Sequence, residues 1–201
     1  MLHPVPTLKE TPSQTAGPYV HIGMTPNFCD IKGVYDKDLG ATMLTPDTKG
    51  ERIELVGRLL DGTGAPVSDG LIEIWQADAN GKYAQPGTKS GFTGWGRQAC
   101  ANDGTFHFET IKPGAVTGPD GKPMAPHINL WIVARGINIG LQTRLYFADE
   151  AEANENDWLL NKIMDKRRRL TLIAERDEGP VPRYGWDIHL QGEKETVFFD
   201  I

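Results

Sequence analysis

The feature that most constrains this chain is a series of short stretches that alternate apolar and polar residues and end at glycine-rich turns. Arg52-Ile53-Glu54-Leu55-Val56-Gly57-Arg58-Leu59 alternates, then stops at Asp61-Gly62-Thr63-Gly64. Side chains two apart on a strand share a face, so this pattern buries one face and leaves the other wet. It recurs in Gly70 to Asp78, closed by Asn80-Gly81, and in Thr105 to Ile111, opened by Asp103-Gly104. His127 to Arg135, Leu141 to Phe147, Tyr184 to Leu190 and Glu195 to Phe199 continue the series. Short strands cut by Gly-rich turns predict a mainly β chain built as an antiparallel β-sandwich.

Two regions depart from this pattern. Residues 1–50 hold Pro4, Pro6, Pro12, Pro18, Pro26 and Pro46 and show little periodicity. They read as an extended N-terminal arm and loops that gain order by lying on another surface. Residues 149–176 place Trp158, Leu159, Ile163 and Met164 near helical spacing without Gly or Pro, a short helical insertion. The organisation expected is one domain, with arm and loops over 1–50 and the sandwich over 51–201.

Charge narrows the function classes. The formal net charge of −6 leaves no basic excess for a nucleic-acid backbone. The one basic run, Lys166-Arg167-Arg168-Arg169, sits near Asp165, Glu175 and Asp177 and reads as a solvated helix face. No apolar stretch is long enough to span a membrane, and Met1-Leu2-His3-Pro4 does not open a signal peptide. A cytoplasmic protein is expected, with Cys29 and Cys100 as free thiols.

The chemistry centres on His127-Ile128-Asn129. A His-x-His pair on a strand aims two imidazoles at one point and can hold a metal. Here Asn129 takes the second place, and a neutral carboxamide is a weak ligand.

Three segments stand together: Thr11 to Tyr19 (TPSQTAGPY), Glu73 to Tyr83 (EIWQADANGKY) and Pro126 to Asn129 (PHIN). With Ala134-Arg135-Gly136 and the terminal Glu195 to Asp200, they resemble the intradiol ring-cleavage dioxygenases, non-haem ferric enzymes that split catechols between the hydroxyls. The resemblance runs from about residue 10 to the C-terminus. It is nearest to the α chains of the heteromeric members, whose substrate is protocatechuate, and it implies a prealbumin- or transthyretin-like sandwich.

The family's catalytic chain holds Fe(3+) with two Tyr and two His. Tyr83 matches the first Tyr and His127 the first His. Asn129 replaces the second His, and no tyrosine lies between Tyr83 and Tyr146 to supply the other. Met124 stands where the family has an Arg, and Arg144 where it has a Gln. The resemblance therefore implies that this chain binds no iron and completes a site whose Fe(3+) is bound by a β chain. Tyr83 and His127 are then expected to hydrogen-bond to each other or to Arg144. His21, His107 and His189 read as surface or satisfied core.

By the same resemblance, Thr15, Gly17 and Pro18, with Tyr19 beside them, form a wall of the substrate pocket at the α–β interface. The other reading of that segment is a strap between subunits. Arg135 matches a pocket Arg suited to the substrate carboxylate, with an interface or surface salt bridge as its alternative. For the whole chain the alternative is a non-catalytic binding or scaffold module with a degenerate metal site.

Overall fold

The computed structural model describes residues 14–85, 91–138, 140–177 and 179–200. Its first strand, β1, spans Arg52–Leu60 and buries Ile53, Leu55 and Leu59 on one face. The turn after it is pinned by Asp61, whose Oδ1 accepts from the backbone N–H of Thr63 at 2.8 Å and of Ala65 at 2.9 Å. β2 is Leu71–Gln76, β3 Trp95–Ala99, β4 Thr105–Ile111, β5 His127–Val133 and β6 Leu141–Phe147. β7 is Ile173–Asp177, β8 Arg183–Gly185 and β9 Ile188–His189.

Eight strands run in the order β3-β2-β5-β6-β7-β8-β1-β4, with β9 also paired to β1. The sheet is nearly closed. Gly96 of β3 packs against Met43 and Phe108 of β4, so closely that a Cβ there would displace the Met43 side chain. The core fills the interior with Leu55, Phe106, Phe108, Ile74, Leu130 and Leu145, all almost fully buried. Each such side chain contributes about 1.5–3 kcal/mol relative to exposure.

Several expectations need correction. The sheet is mixed, because β1 runs parallel to β8 and β9, and β6 runs parallel to β7. The segment between β6 and β7 is the long crossover that parallel pairing requires. That segment is helical only to Leu172, in α2 (Ala151–Glu155), α3 (Lys166–Arg169) and three 3₁₀ turns. From Ile173 the chain is strand, since Ile173 and Ala174 pair with Tyr146 and Phe147. The arm is not wholly irregular: α1 spans Pro18–Met24, with Pro18 in its first turn, where a missing N–H costs nothing. Residues 195–199 form no strand and meet the sheet through a bridge between Gln142 and Phe199 and through hydrogen bonds of Thr196 to His189 and of Val197 to Thr143. The basic run does form a solvated turn, capped by Asp165, whose side chain accepts from Arg167 N–H.

Candidate functional site

The first candidate cluster lies where β5 and β6 pair. His127 stands opposite Tyr146, and Asn129 opposite Arg144. Two residues apart on β5, His127 and Asn129 share a face. Tyr83 reaches them from the loop after β2 and stacks on Trp75 at 6.1 Å. Arg144 ties the group together. Its Nε donates to Asn129 Oδ1 at 2.9 Å, and Nη1 donates to Tyr146 Oη at 3.4 Å and to Met124 Sδ at 3.8 Å. Asn129 Nδ2 in turn donates to Tyr83 Oη at 3.2 Å and to the Trp75 carbonyl at 3.3 Å.

Behind this layer sits Asp157, fully buried. Its carboxylate accepts from Tyr146 Oη at 3.0 Å and from the backbone N–H groups of Ala125, Leu159 and Leu160. Burial pushes the Tyr146 phenol well above its ordinary range. His127 is 3% exposed. Burial, and then the positive charge of Arg144, lower its pKa to about 4, so its imidazole is neutral at pH 7. The expected bonds of Tyr83 and His127 are therefore corrected. Tyr83 bonds Asn129, and His127 Nδ1 faces the Ala125 carbonyl at 2.7 Å, while neither bonds the other or Arg144.

These residues do not fit a ferric ion. Such a site needs hard anionic oxygen and imidazole donors. Here one phenol and one imidazole are accompanied by a carboxamide, a thioether and a permanently charged guanidinium. Among the described residues no cluster of three His, Cys, Asp or Glu has metal-binding geometry.

The second candidate is a cleft of about 390 Å³, within the ~300–1,000 Å³ typical of ligand pockets. Gly17, Pro18, Val20 and Phe28 of the arm and α1 line it together with Val133 and Arg135 at and just past the end of β5, and with Ser68 and Asp69. Thr15 fastens the arm there, its Oγ1 accepting from Gly136 N–H at 2.7 Å. Gly17 has φ −125° and ψ −175°, an extended conformation open to any residue, and a Cβ there would meet nothing within 4 Å. Glycine at this position thus leaves space beside the chain, and the backbone does not demand it.

The Arg135 side chain is 80% exposed, and its Nε lies 3.2 Å from Asp69 Oδ2. Its terminal nitrogens make no hydrogen bond among the described residues. Tyr19 does not line this cleft and is 85% exposed.

A family model described as "Dioxygenase" matches residues 24–192. The chain is 48% identical over 202 residues to the protocatechuate 3,4-dioxygenase alpha chain of Pseudomonas putida, covering 98% of this chain and 99% of that one. This chain belongs to the intradiol dioxygenase family. It is also 40% identical over 158 residues to the protocatechuate 3,4-dioxygenase beta chain of Burkholderia cepacia, covering 73% of this chain and 67% of that one. Among solved structures, it resembles the dioxygenase domain of a carbohydrate-binding fusion from Streptomyces sp. SirexAA-E. That match has a TM-score of 0.60 at 28% identity and covers 80% of this chain and 95% of that one.

Within this intradiol dioxygenase, the structure gathers Gly17, Pro18 and Arg135 at one cleft, with Thr15 beside it. Tyr83, His127, Asn129, Met124 and Arg144 gather at the other cluster. Thr11 to Ser13 of the arm motif lie outside the described residues. Sequence reading missed Asp157, Tyr146 and Asp69. The only signal for Asp157 was its place in a stretch read as helix. Of the other histidines read as surface or satisfied core, His21 Nε2 meets the Asp69 carbonyl at 2.9 Å, His107 lies on the surface 3.9 Å from Glu54, and His189 is half-buried in β9. Both cysteines are free, and burial pushes the Cys100 thiol up to about 12. No helix among the described residues is long and apolar enough to cross a membrane.

Proposed function

We propose that this chain is the α subunit of a two-chain protocatechuate 3,4-dioxygenase. The assembly converts protocatechuate and O2 to 3-carboxy-cis,cis-muconate in the cytoplasm. The Fe(3+) belongs to the β subunit, and this chain, a single domain of transthyretin-like sandwich form with an N-terminal arm, supplies one wall of the pocket.

One observation carries the reading. The chain opens a mainly apolar cleft that Gly17 and Pro18 share with the exposed side chain of Arg135, while its own His127 cluster is filled by Arg144. A flat ring lies against this apolar lining in the space that Gly17 leaves open, and Arg135 forks the substrate carboxylate away from the reacting hydroxyls. Thr15 holds the arm at the distance this requires. Near-full-length identity to an alpha chain supports the assignment, as does the weaker likeness to a beta chain, which fits two related chains packed face to face.

The test is co-expression with a family member that carries the complete Tyr and His-x-His set. The purified pair consumes O2 with protocatechuate, and this chain alone consumes none. A chain that purifies alone, stable and without such a partner, would favour a non-catalytic module.

A further inference from the structure

Arg144 sits among groups that a bound cation would also attract. Its guanidinium takes the Asn129 amide oxygen at 2.9 Å, the Tyr146 hydroxyl at 3.4 Å and the Met124 sulfur at 3.8 Å. Beside them, His127 keeps the form of a metal ligand. Its Nδ1 faces the Ala125 carbonyl oxygen, which can only accept, so the proton sits on Nδ1 and Nε2 carries a lone pair. A backbone carbonyl in that role fixes ring and tautomer as it does behind a metal. Yet Nε2 is buried and has no partner. Asn129, two residues on and on the same face, already reaches Tyr83 Oη at 3.2 Å. An imidazole at that place would join Tyr83 and His127.

Only the guanidinium then stands against a metal. Arginine does not lose its proton in proteins, so its charge persists at every working pH. A divalent ion among these donors would meet that charge in a half-buried, poorly screened place.

We propose that Arg144 is a resident cation that occupies the metal position of this cluster and excludes divalent metals. Its removal, combined with Asn129→His, leaves Tyr83 Oη, His127 Nε2 and the added imidazole as a site for a first-row transition metal. This rests on the reading that the chain itself carries no iron. The arms below separate the two.

The experiment loads the co-purified two-chain complex with cobalt(II) and counts bound cobalt against the unaltered complex treated alike. Five forms are compared: unaltered, His127→Gln, Asn129→His, Asn129→His/Arg144→Gln, and this double variant with His127→Gln added. The Asn129→His/Arg144→Gln form gains about one cobalt per complex and a cobalt-dependent rise in Tm. Asn129→His alone binds about 10- to 100-fold more weakly, and His127→Gln removes the gain. Equal cobalt in Asn129→His with and without Arg144 overturns the exclusion. So does a folded Asn129→His/Arg144→Gln complex that binds none. Assembly and near-ultraviolet dichroism establish folding, and Arg144→Met replaces Arg144→Gln if the latter fails to assemble. Metal in the unaltered complex that His127→Gln abolishes overturns both this proposal and the iron-free reading.

Discussion

Replacing Arg135 with Ala separates a substrate contact from a structural one. The Arg135 side chain is 80% exposed and its ion pair with Asp69 is 3.2 Å long, with the Asp69 side chain 36% exposed. An exposed pair of this kind contributes about 0.2–1 kcal/mol, so the variant folds and assembles normally. A charge-assisted hydrogen bond to a substrate carboxylate is worth about 1.5–3 kcal/mol. Its loss raises the Kd for protocatechuate roughly 10- to 150-fold. Catechol, which has no carboxylate, loses nothing by this route. The assay is substrate titration of the assembled protein with both ligands, alongside KM from O2 uptake and a urea unfolding curve. Equal losses on the two substrates would refute the carboxylate role. A fall in stability above about 2 kcal/mol would place Arg135 in the structure instead.

Gly17→Val tests the arm as a wall. The extended backbone accepts a branched residue and the space beside Gly17 is open, so assembly is unchanged and substrate affinity falls. Weakened assembly with normal affinity would mark the segment as a strap. His127 sets a pH dependence. Its folded pKa of about 4 lies below its ordinary 6.5, so the unfolded chain takes up the proton first as pH falls. Stability contributed by this group is complete above pH 6.5 and is lost as pH falls towards 4, by about 3 kcal/mol. Urea unfolding at pH 7 and pH 4.5 shows a smaller loss in His127→Gln than in the unaltered protein. An identical loss would remove His127 as the cause.

The sequence made some of this legible for physical reasons. β1 was readable because one of its faces is core, which forces Ile53, Leu55 and Leu59 onto alternate positions. β3 was not. Trp95-Gly96-Arg97-Gln98-Ala99 lacks apolar alternation, because Gly96 must admit Met43 and Arg97 must reach Glu73 Oε1 at 2.7 Å. The parallel pairing of β1 with β8 joins residues more than a hundred positions apart, and no local pattern records it. Pro18 read as a breaker, yet the first turn of a helix is where proline is tolerated. At the site, the gap at Asn129 was visible from its spacing to His127. That Arg144 fills the gap depends on the register of β5 against β6, which only the folded chain fixes.

The central claim is that this chain shapes a pocket for iron held by its partner. The direct measurement is iron content by elemental analysis of the two chains after the purified, coloured assembly is separated without chelators. The account requires this chain to be colourless and iron-free, with the iron retained or released from the partner alone and colour absent whenever this chain is expressed by itself. Stoichiometric iron in this chain, with absorption from tyrosinate bound to it, would contradict the account.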